Sequence, residues 1–568
     1  MATETMPRPL GIADRIDGRR LLTRILVTAF VAVLAYIVLA PLWWLAKSAF
    51  ADGSAGFEIA YFSSRTSRIV WNTAVLAAGS LIVSMIVGTG LAWASTRIPA
   101  RAKFLRMIPI LPIVIPAVAN VVGWAFLLAP GPGYLNAVLR QLPWWSDLES
   151  GPIDVYTMPW IVIISGMSLA SFVYLFVSAG LQNISQEHIE AAGIAGASYF
   201  KTFFTIVVPL LRPALLYGAG VSFLLGLGQF TAPLLLGTSS GIDTITTQMY
   251  RSTTDAPVDY GVAAAYGAPI LVAGLIVVIL QRVSLGDMRR FITHGGKAFK
   301  SVDRSSKAAV TSMVIYGLLS TVLPIMALTI VAFSKYWSAS LSPSLFTWDN
   351  VSAVLSRQDI VDSIVTSVVA SVIAVAITLP LGFIGATIML RGTRFRFLRV
   401  FLDIIVALPL GIPAVVIGAG FLLAYMNPPF ILYGTPQVLI LVYVTLMLPY
   451  STRMQLTEMS GLGSQYIEAS RVSGAGAIAT TVKILVPLMR TSITSAAALL
   501  FVLLTHEFSA SMLVRSPKTQ VMGTILFDYY VNGSYPTVAA IALVMTVVTG
   551  IGVGIAMKVG GSEVFSKL

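Results

Sequence analysis

The chain has 568 residues, of which 57% are hydrophobic and only 11% charged, with no cysteine and a formal net charge of +13. Such a composition excludes an ordinary soluble enzyme, and the absence of cysteine excludes disulfides and thiolate metal centres. The three histidines, His188, His294 and His506, lie too far apart in sequence to form a metal-ligand spacing.

A helix that crosses a membrane needs about 20 mostly apolar residues, and roughly a dozen such runs follow one another along the chain. In the first half they are predicted at 22–46, 70–95, 106–129, 157–181, 208–236 and 261–281. In the second half they are predicted at 308–333, 363–389, 400–425, 429–450, 485–509 and 537–558. The first run is longer than the apolar stretch of a usual signal peptide and follows Arg19 and Arg20, so it reads as a retained helix. Proline and glycine within several runs are compatible with membrane helices, because neighbouring helices satisfy the freed backbone groups. No stretch alternates as the strands of a transmembrane barrel would.

The positive charge is distributed by loop. Arg97, Arg101, Lys103 and Arg106 crowd one short loop, and Arg391, Arg394, Arg396 and Arg399 crowd the corresponding loop of the second half. The connector between the halves carries Arg282, Arg289, Arg290, Lys297, Lys300, Arg304 and Lys307, whereas Pro130 to Tyr156 sets Arg140 against Asp147, Glu149 and Asp154. Every second loop is basic, which the positive-inside rule reads as cytoplasmic. The charge thus reports topology, not nucleic-acid binding, and places both termini in the cytoplasm. Trp43, Trp44, Trp144, Trp145, Tyr156 and Trp160 sit near run ends as interfacial belt residues. Gly550 to Gly554 contains a GxxxG spacing, read as close helix packing.

One polar loop occurs twice. EAAGIAGASYFKTFFTIVVP runs from Glu190 to Pro209, and EASRVSGAGAIATTVKILVP runs from Glu468 to Pro487, 278 residues later. In both, a glycine (Gly196, Gly474) stands six residues after the glutamate, and a proline (Pro209, Pro487) thirteen residues after that glycine. Ile115-Pro116-Ala117-Val118 recurs as Ile412-Pro413-Ala414-Val415, and Phe104-Leu105-Arg106 as Phe397-Leu398-Arg399. The halves therefore read as parallel repeats: residues 1–283, a basic connector at 284–307, and residues 308–568. An even helix count per repeat gives both halves the same orientation about a pseudo-two-fold axis along the membrane normal.

The duplicated loop resembles the EAA loop of bacterial ABC importer permeases, Glu-Ala-Ala-(three)-Gly-(nine)-Ile-(one)-Leu-Pro. The first copy departs from it at Val208, the second at Ser470 and Val486. Both halves fused in one chain look like the ferric-iron importer permeases and relatives for thiamine, 2-aminoethylphosphonate or polyamines. The resemblance implies an all-α membrane protein of about twelve transmembrane helices in two parallel six-helix repeats, the type I ABC importer permease fold. It also implies a multi-pass location in the bacterial inner membrane, surrounded by lipid. The implied partners are two copies of a cytoplasmic ABC ATPase and a periplasmic or lipid-anchored substrate-binding protein. ATP and Mg²⁺ would belong to the ATPase, and no cofactor to this chain. Gly295-Gly296-Lys297-Ala298 departs from a phosphate-binding loop in the residue after Lys297.

The loops supply the expected ATPase-coupling residues: Glu190, Ala191, Ala192, Gly196 and Pro209, with Glu468, Ala469, Gly474 and Pro487. Small alanines would allow close packing in a partner's groove, the glycines a turn with positive φ, and the prolines the first turn of the next helix. The 278-residue offset also places Gln229-Phe230 opposite Glu507-Phe508, expected about 30 Å along a continuous helix, near its outer end. An acid inside an apolar run usually faces a bundle interior or a watery path. Glu507 is therefore either pathway lining or gate, or a helix-end residue, or a partner of His506. A second class of reading, a major-facilitator-type secondary transporter, also has twelve helices in two parallel halves. Its acidic-basic loop signature is absent from the loop Arg97 to Arg106, where the signature belongs.

Overall fold

In the computed structural model the described residues are 13–182, 184–285, 306–391, 396–463 and 465–560. The termini and most of the basic connector, including Arg289, Arg290, Lys297, Lys300 and Arg304, lie outside them. The fold is nearly all helical. The first half carries α1 Ala13–Ala49, α2 Thr66–Ser95, α3 Ala117–Leu128, α4 Met158–Gln182, α5 Gln186–Ile194, α6 Arg212–Leu227, α7 Ile245–Thr254 and α8 Tyr260–Leu285. The second half repeats the series as α9 Lys307–Ala332, α10 Gln358–Arg391, α11 Ala414–Tyr425, α12 Pro436–Gly461, α13 Gln465–Val472, α14 Arg490–Thr505, α15 Met522–Val531 and α16 Tyr535–Gly560. Among the described residues eight helices are long and apolar enough to cross a membrane, and four bent pairs raise the number to twelve.

Four of the expected continuous spans are broken, two of them at the residue before a proline and two just past one. A residue before proline is pushed out of the helical region by the proline ring. Ile115 and Ile412, each preceding a proline, are extended (ψ 131° and 123°). The helices on either side are bent by 96° in the first half and 111° in the second, so 106–129 and 400–425 are not single rods. The expected spans 208–236 and 485–509 are bent by 77° and 73° near Leu211 and Met489. There a π-turn accommodates Pro209 and Pro487, and the long helix begins three residues past each proline, not at it. The expected span 429–450 is also displaced, since α12 runs from Pro436 to Gly461. Its polar second half stays in the bundle because Thr452 and Gln455 are buried, Gln455 donating to the Leu379 carbonyl at 3.0 Å.

The halves pack alike and exchange their first helices. α2, α4 and α6 form one group, and α10, α12 and α14 the other. α1 lies against α8 of its own half and α11 of the other, while α9 lies against α16 and, across the molecule, α3. The close approach needs glycine on both sides. A Cβ on Gly123 would stand 2.6 Å from the Pro324 carbonyl oxygen, and one on Gly420 2.8 Å from that of Pro41. Pro324 has no N–H for the Ser320 carbonyl four residues back, and the Asn120 amide from α3 donates to that carbonyl at 2.9 Å. α3 and α11 are buried along almost their whole length, so one core spans both halves. In the GxxxG stretch only Gly552 makes a close contact, against Phe501, while Gly550 and Gly554 border open space.

Candidate functional site

The long helices α6 and α14 end at Leu227 and Thr505, just before the two expected pathway pairs. Each is 16 residues long, about 24 Å. Gln229 and Glu507 therefore leave the helix ends within the bundle and do not continue an outer turn. They meet at a cavity of about 340 Å³ built from both halves, which the Ile115–Ala117 and Ile412–Ala414 breaks also line. Directly against it, Phe230 stacks on Phe508 across the halves, ring centroids 5.6 Å apart. Tyr250 of α7 meets Phe230 edge-on at 5.6 Å, and Phe527 of α15 meets Phe508 at 6.2 Å. Four rings, two from each half, thus pack into one aromatic plug.

The plug is held by matched hydrogen bonds. Thr73 of α2 accepts the Ile245 N–H at 2.9 Å, and Ser367 of α10 accepts the Met522 N–H at 2.8 Å. The Thr247 and Thr524 hydroxyls accept the N–H groups of Thr244 and Val521, closing the first turns of α7 and α15. In the second half Arg515 reaches the Asp528 carboxylate at 2.7 Å and the Tyr250 hydroxyl at 3.5 Å, tying the halves together beside the plug. Tyr250, Phe527 and the supporting Thr73, Ser367 and Arg515 were not singled out from sequence. The recurring Ile-Pro-Ala-Val was legible as a repeat, but only the fold shows that it borders the cavity.

Glu507 does not pair with His506. Its Oε1 accepts the Ala510 N–H at 2.8 Å, and its Oε2 accepts the Ser511 N–H at 2.9 Å and the Ser511 hydroxyl at 2.6 Å. The Tyr443 hydroxyl lies 3.0 Å from the same Ser511 oxygen. The carboxylate thus caps the short helix Ser511–Val514, filling donors that a helix start leaves open. In the first half the residue equivalent to Ser511 is Pro233, which has neither an N–H nor a hydroxyl, so the neutral Gln229 suffices there. His506 borders the cavity with its buried Nε2 unpartnered among the described residues.

The duplicated loops form a second matched feature. α5 and α13 end in the same hydrogen-bonded turn: Ala197 N–H donates to Ala192 O at 2.9 Å, and Ala475 N–H to Ser470 O at 3.0 Å. Gly196 (φ +76°) and Gly474 (φ +79°) occupy its left-handed position, where a side chain would be strained. Glu190, Ala191, Glu468 and Ala469 are exposed. Ala192 is buried, as is Ser470 at the equivalent place, whose hydroxyl lies 2.8 Å from that of Thr480. Ala192 therefore supports the loop from within and is not displayed to a groove. Beside these exposed glutamates each loop displays apolar side chains: Ile194 and Val472 are both 89% exposed, and Phe200 and Phe204 are matched by exposed Ile478 and Val482. Pro209 is half-buried and Pro487 exposed at the bends that follow.

Two like halves of a helical chain thus close one cavity, each presenting the same glycine-closed loop. Residues 85–290 match the family described as binding-protein-dependent transport system inner membrane component. The chain is 26% identical to the ferric transport system permease protein FbpB of Actinobacillus pleuropneumoniae, over 85% of this chain and 69% of that protein. It is 24% identical to the probable ABC transporter permease protein y4fN of Sinorhizobium fredii, over 90% of this chain and 91% of that one. A shorter stretch is 35% identical to the sn-glycerol-3-phosphate transport system permease protein UgpA of Agrobacterium fabrum, over 25% of this chain and 47% of that one. The chain belongs to the inner-membrane permeases of binding-protein-dependent ABC importers, with two halves in a single polypeptide.

Proposed function

We propose that this permease imports ferric iron, accepting it from a substrate-binding protein on the outer side and coupling its passage to two copies of a cytoplasmic ABC ATPase. ATP and Mg²⁺ act on the ATPase; this chain supplies the route and the coupling loops. The observation that carries the reading is the pair of matching glycine-closed loops, each presenting exposed apolar residues at positions 278 residues apart. A two-fold partner fits two equivalent faces. In this reading the loops, the basic ends and both termini are cytoplasmic, residues 1–283 and 308–568 are the two repeats, and Gln229, Phe230, Glu507 and Phe508 line or gate the route. The iron-permease relatives support the substrate.

The test is uptake by proteoliposomes holding the permease, its ATPase and its binding protein. The reading expects ATP-dependent accumulation of ferric iron that excess thiamine, 2-aminoethylphosphonate or spermidine does not suppress. ATP-dependent uptake of one of those three in place of iron would overturn the substrate. Uptake driven by a proton gradient without ATP would overturn the mechanism.

A further inference from the structure

At one end of the second half, α10, the helix Arg396–Ala407 and α12 enclose a cavity of about 840 Å³. Arg396, Arg399 and Arg453 line it, with Asp403 as the one acid among its lining residues. That carboxylate is engaged, since an Arg453 N–H donates to its Oδ1 at 2.6 Å. Arg396 and Arg399 are exposed and have no ion-pair partner among the described residues. Three guanidinium groups against one carboxylate leave two positive charges facing the cavity.

The rest of the wall is mixed: Met389, Leu390, Val400 and Leu456 give it an apolar side, and Thr457 and Ser460 a neutral polar one. The helix Arg396–Ala407 is amphipathic: Leu402, Ile405 and Val406 are buried in the bundle, while Phe397, Val400 and Ile404 are exposed. The Phe397 and Phe401 rings lie parallel, centroids 6.2 Å apart. Arginines beside an outward apolar face are the arrangement of a helix lying at the headgroup boundary of a bilayer. The guanidinium fork matches a phosphate geometrically, and it does so best where the surroundings are partly dry.

We propose that this cavity binds the phosphodiester headgroup of an anionic phospholipid, held by Arg396 and Arg399, with its acyl chains along Phe397 and Val400. Arg453 is kept in place by Asp403 and adds its charge from α12. The cavity sits on the end of α12 that leads, five residues beyond Ser460, into the loop helix α13. A bound lipid therefore braces the helix that carries the second coupling loop. The proposal goes beyond the transport reading, and its test does not depend on transport.

The full chain, delipidated in a neutral detergent, is titrated with phosphatidylglycerol, phosphatidylcholine or inorganic phosphate, with native mass spectrometry and thermal midpoint as readouts. Phosphatidylglycerol is expected to bind and raise the midpoint, and the other two to do neither at matched concentration. Arg396→Gln with Arg399→Gln should weaken phosphatidylglycerol binding roughly 30-fold, by the usual contribution of a basic residue near an anionic surface. Its lipid-free midpoint should be unchanged, and Arg65→Gln with Arg68→Gln should bind as the native chain does. Equal binding of the two lipids, or undiminished binding by the first variant, overturns the proposal. So does saturation by inorganic phosphate with the same midpoint rise, which makes the cavity a small-anion site.

Discussion

Phe230 of the first half and Phe508 of the second lie face to face, centroids 5.6 Å apart and planes inclined by 27°, although 278 residues separate them. Both rings are almost fully buried. Each half contributes the same residue from the same turn after its long helix, so the contact falls on the relation between the halves. A movement that parts the two halves here would separate these rings. If the route runs as proposed, the stacked plug is its shut state.

Truncating the rings tests that reading. Losing one buried aromatic side chain costs on the order of 3 kcal/mol in a packed core. Phe230→Ala with Phe508→Ala should leave the permease assembled in the membrane but raise the passive leak of small solutes from proteoliposomes in the absence of ATP. A leak equal to that of the native protein would mean that the plug does not close the route.

The cap on Ser511 predicts a dependence between two positions. Glu507→Gln replaces an acceptor of three hydrogen bonds with one that can satisfy only part of them, an expected loss of about 1–3 kcal/mol in stability. Ser511→Pro imitates Pro233 of the first half and removes two of the donors. In that background Glu507→Gln should cost clearly less, giving a double-mutant coupling of about 1 kcal/mol or more. Additive effects on thermal unfolding would show that the carboxylate is held for another reason.

For the coupling loops, conformation and not space is limiting. A Cβ on Gly196 or Gly474 would meet nothing within 4 Å, yet both residues have positive φ. The left-handed region costs an ordinary residue roughly 1–2 kcal/mol, and asparagine less. Gly474→Val should therefore weaken ATPase retention in pull-down assays, and Gly474→Asn should retain most of it. Equal retention by the two variants would remove the turn from the account.

The exchanged first helices make a further prediction. Gly123→Ala and Gly420→Ala drive a methyl group into the Pro324 and Pro41 backbones, and such overpacking typically costs about 1–3 kcal/mol. Gly550→Ala, bordering open space, serves as the control and should be neutral or nearly so. Thermal midpoints that fall equally for all three substitutions would contradict the interlocked packing.

The repeat was legible because its markers are local: a glutamate, a glycine and a proline at fixed spacing in a polar loop. The helix breaks at Ile115 and Ile412 were not read, although the prolines behind them were in view. Hydropathy continues unbroken across both and conceals a bend of about a right angle. The second half of α12 was missed for the opposite reason, since Thr452 and Gln455 look like loop residues until their buried partners are seen. The offset set Gln229 opposite Glu507, and both border one cavity, but the continuous helix expected to carry them stops at Leu227 and at Thr505. The crossing of α1 and α9 depends on contacts between residues hundreds of positions apart, and no local pattern encodes it.

The central claim is that each duplicated loop docks one copy of the ATPase through its exposed apolar residue. Native mass spectrometry of the assembled complex measures this directly, comparing the native chain with Ile194→Glu, Val472→Glu and the double variant. A charge placed where an apolar side chain must be buried in a partner should be excluded from the contact. The account predicts two ATPase copies on the native chain, weakened occupancy with either single change, and none with both. Two ATPase copies retained on the double variant would contradict it.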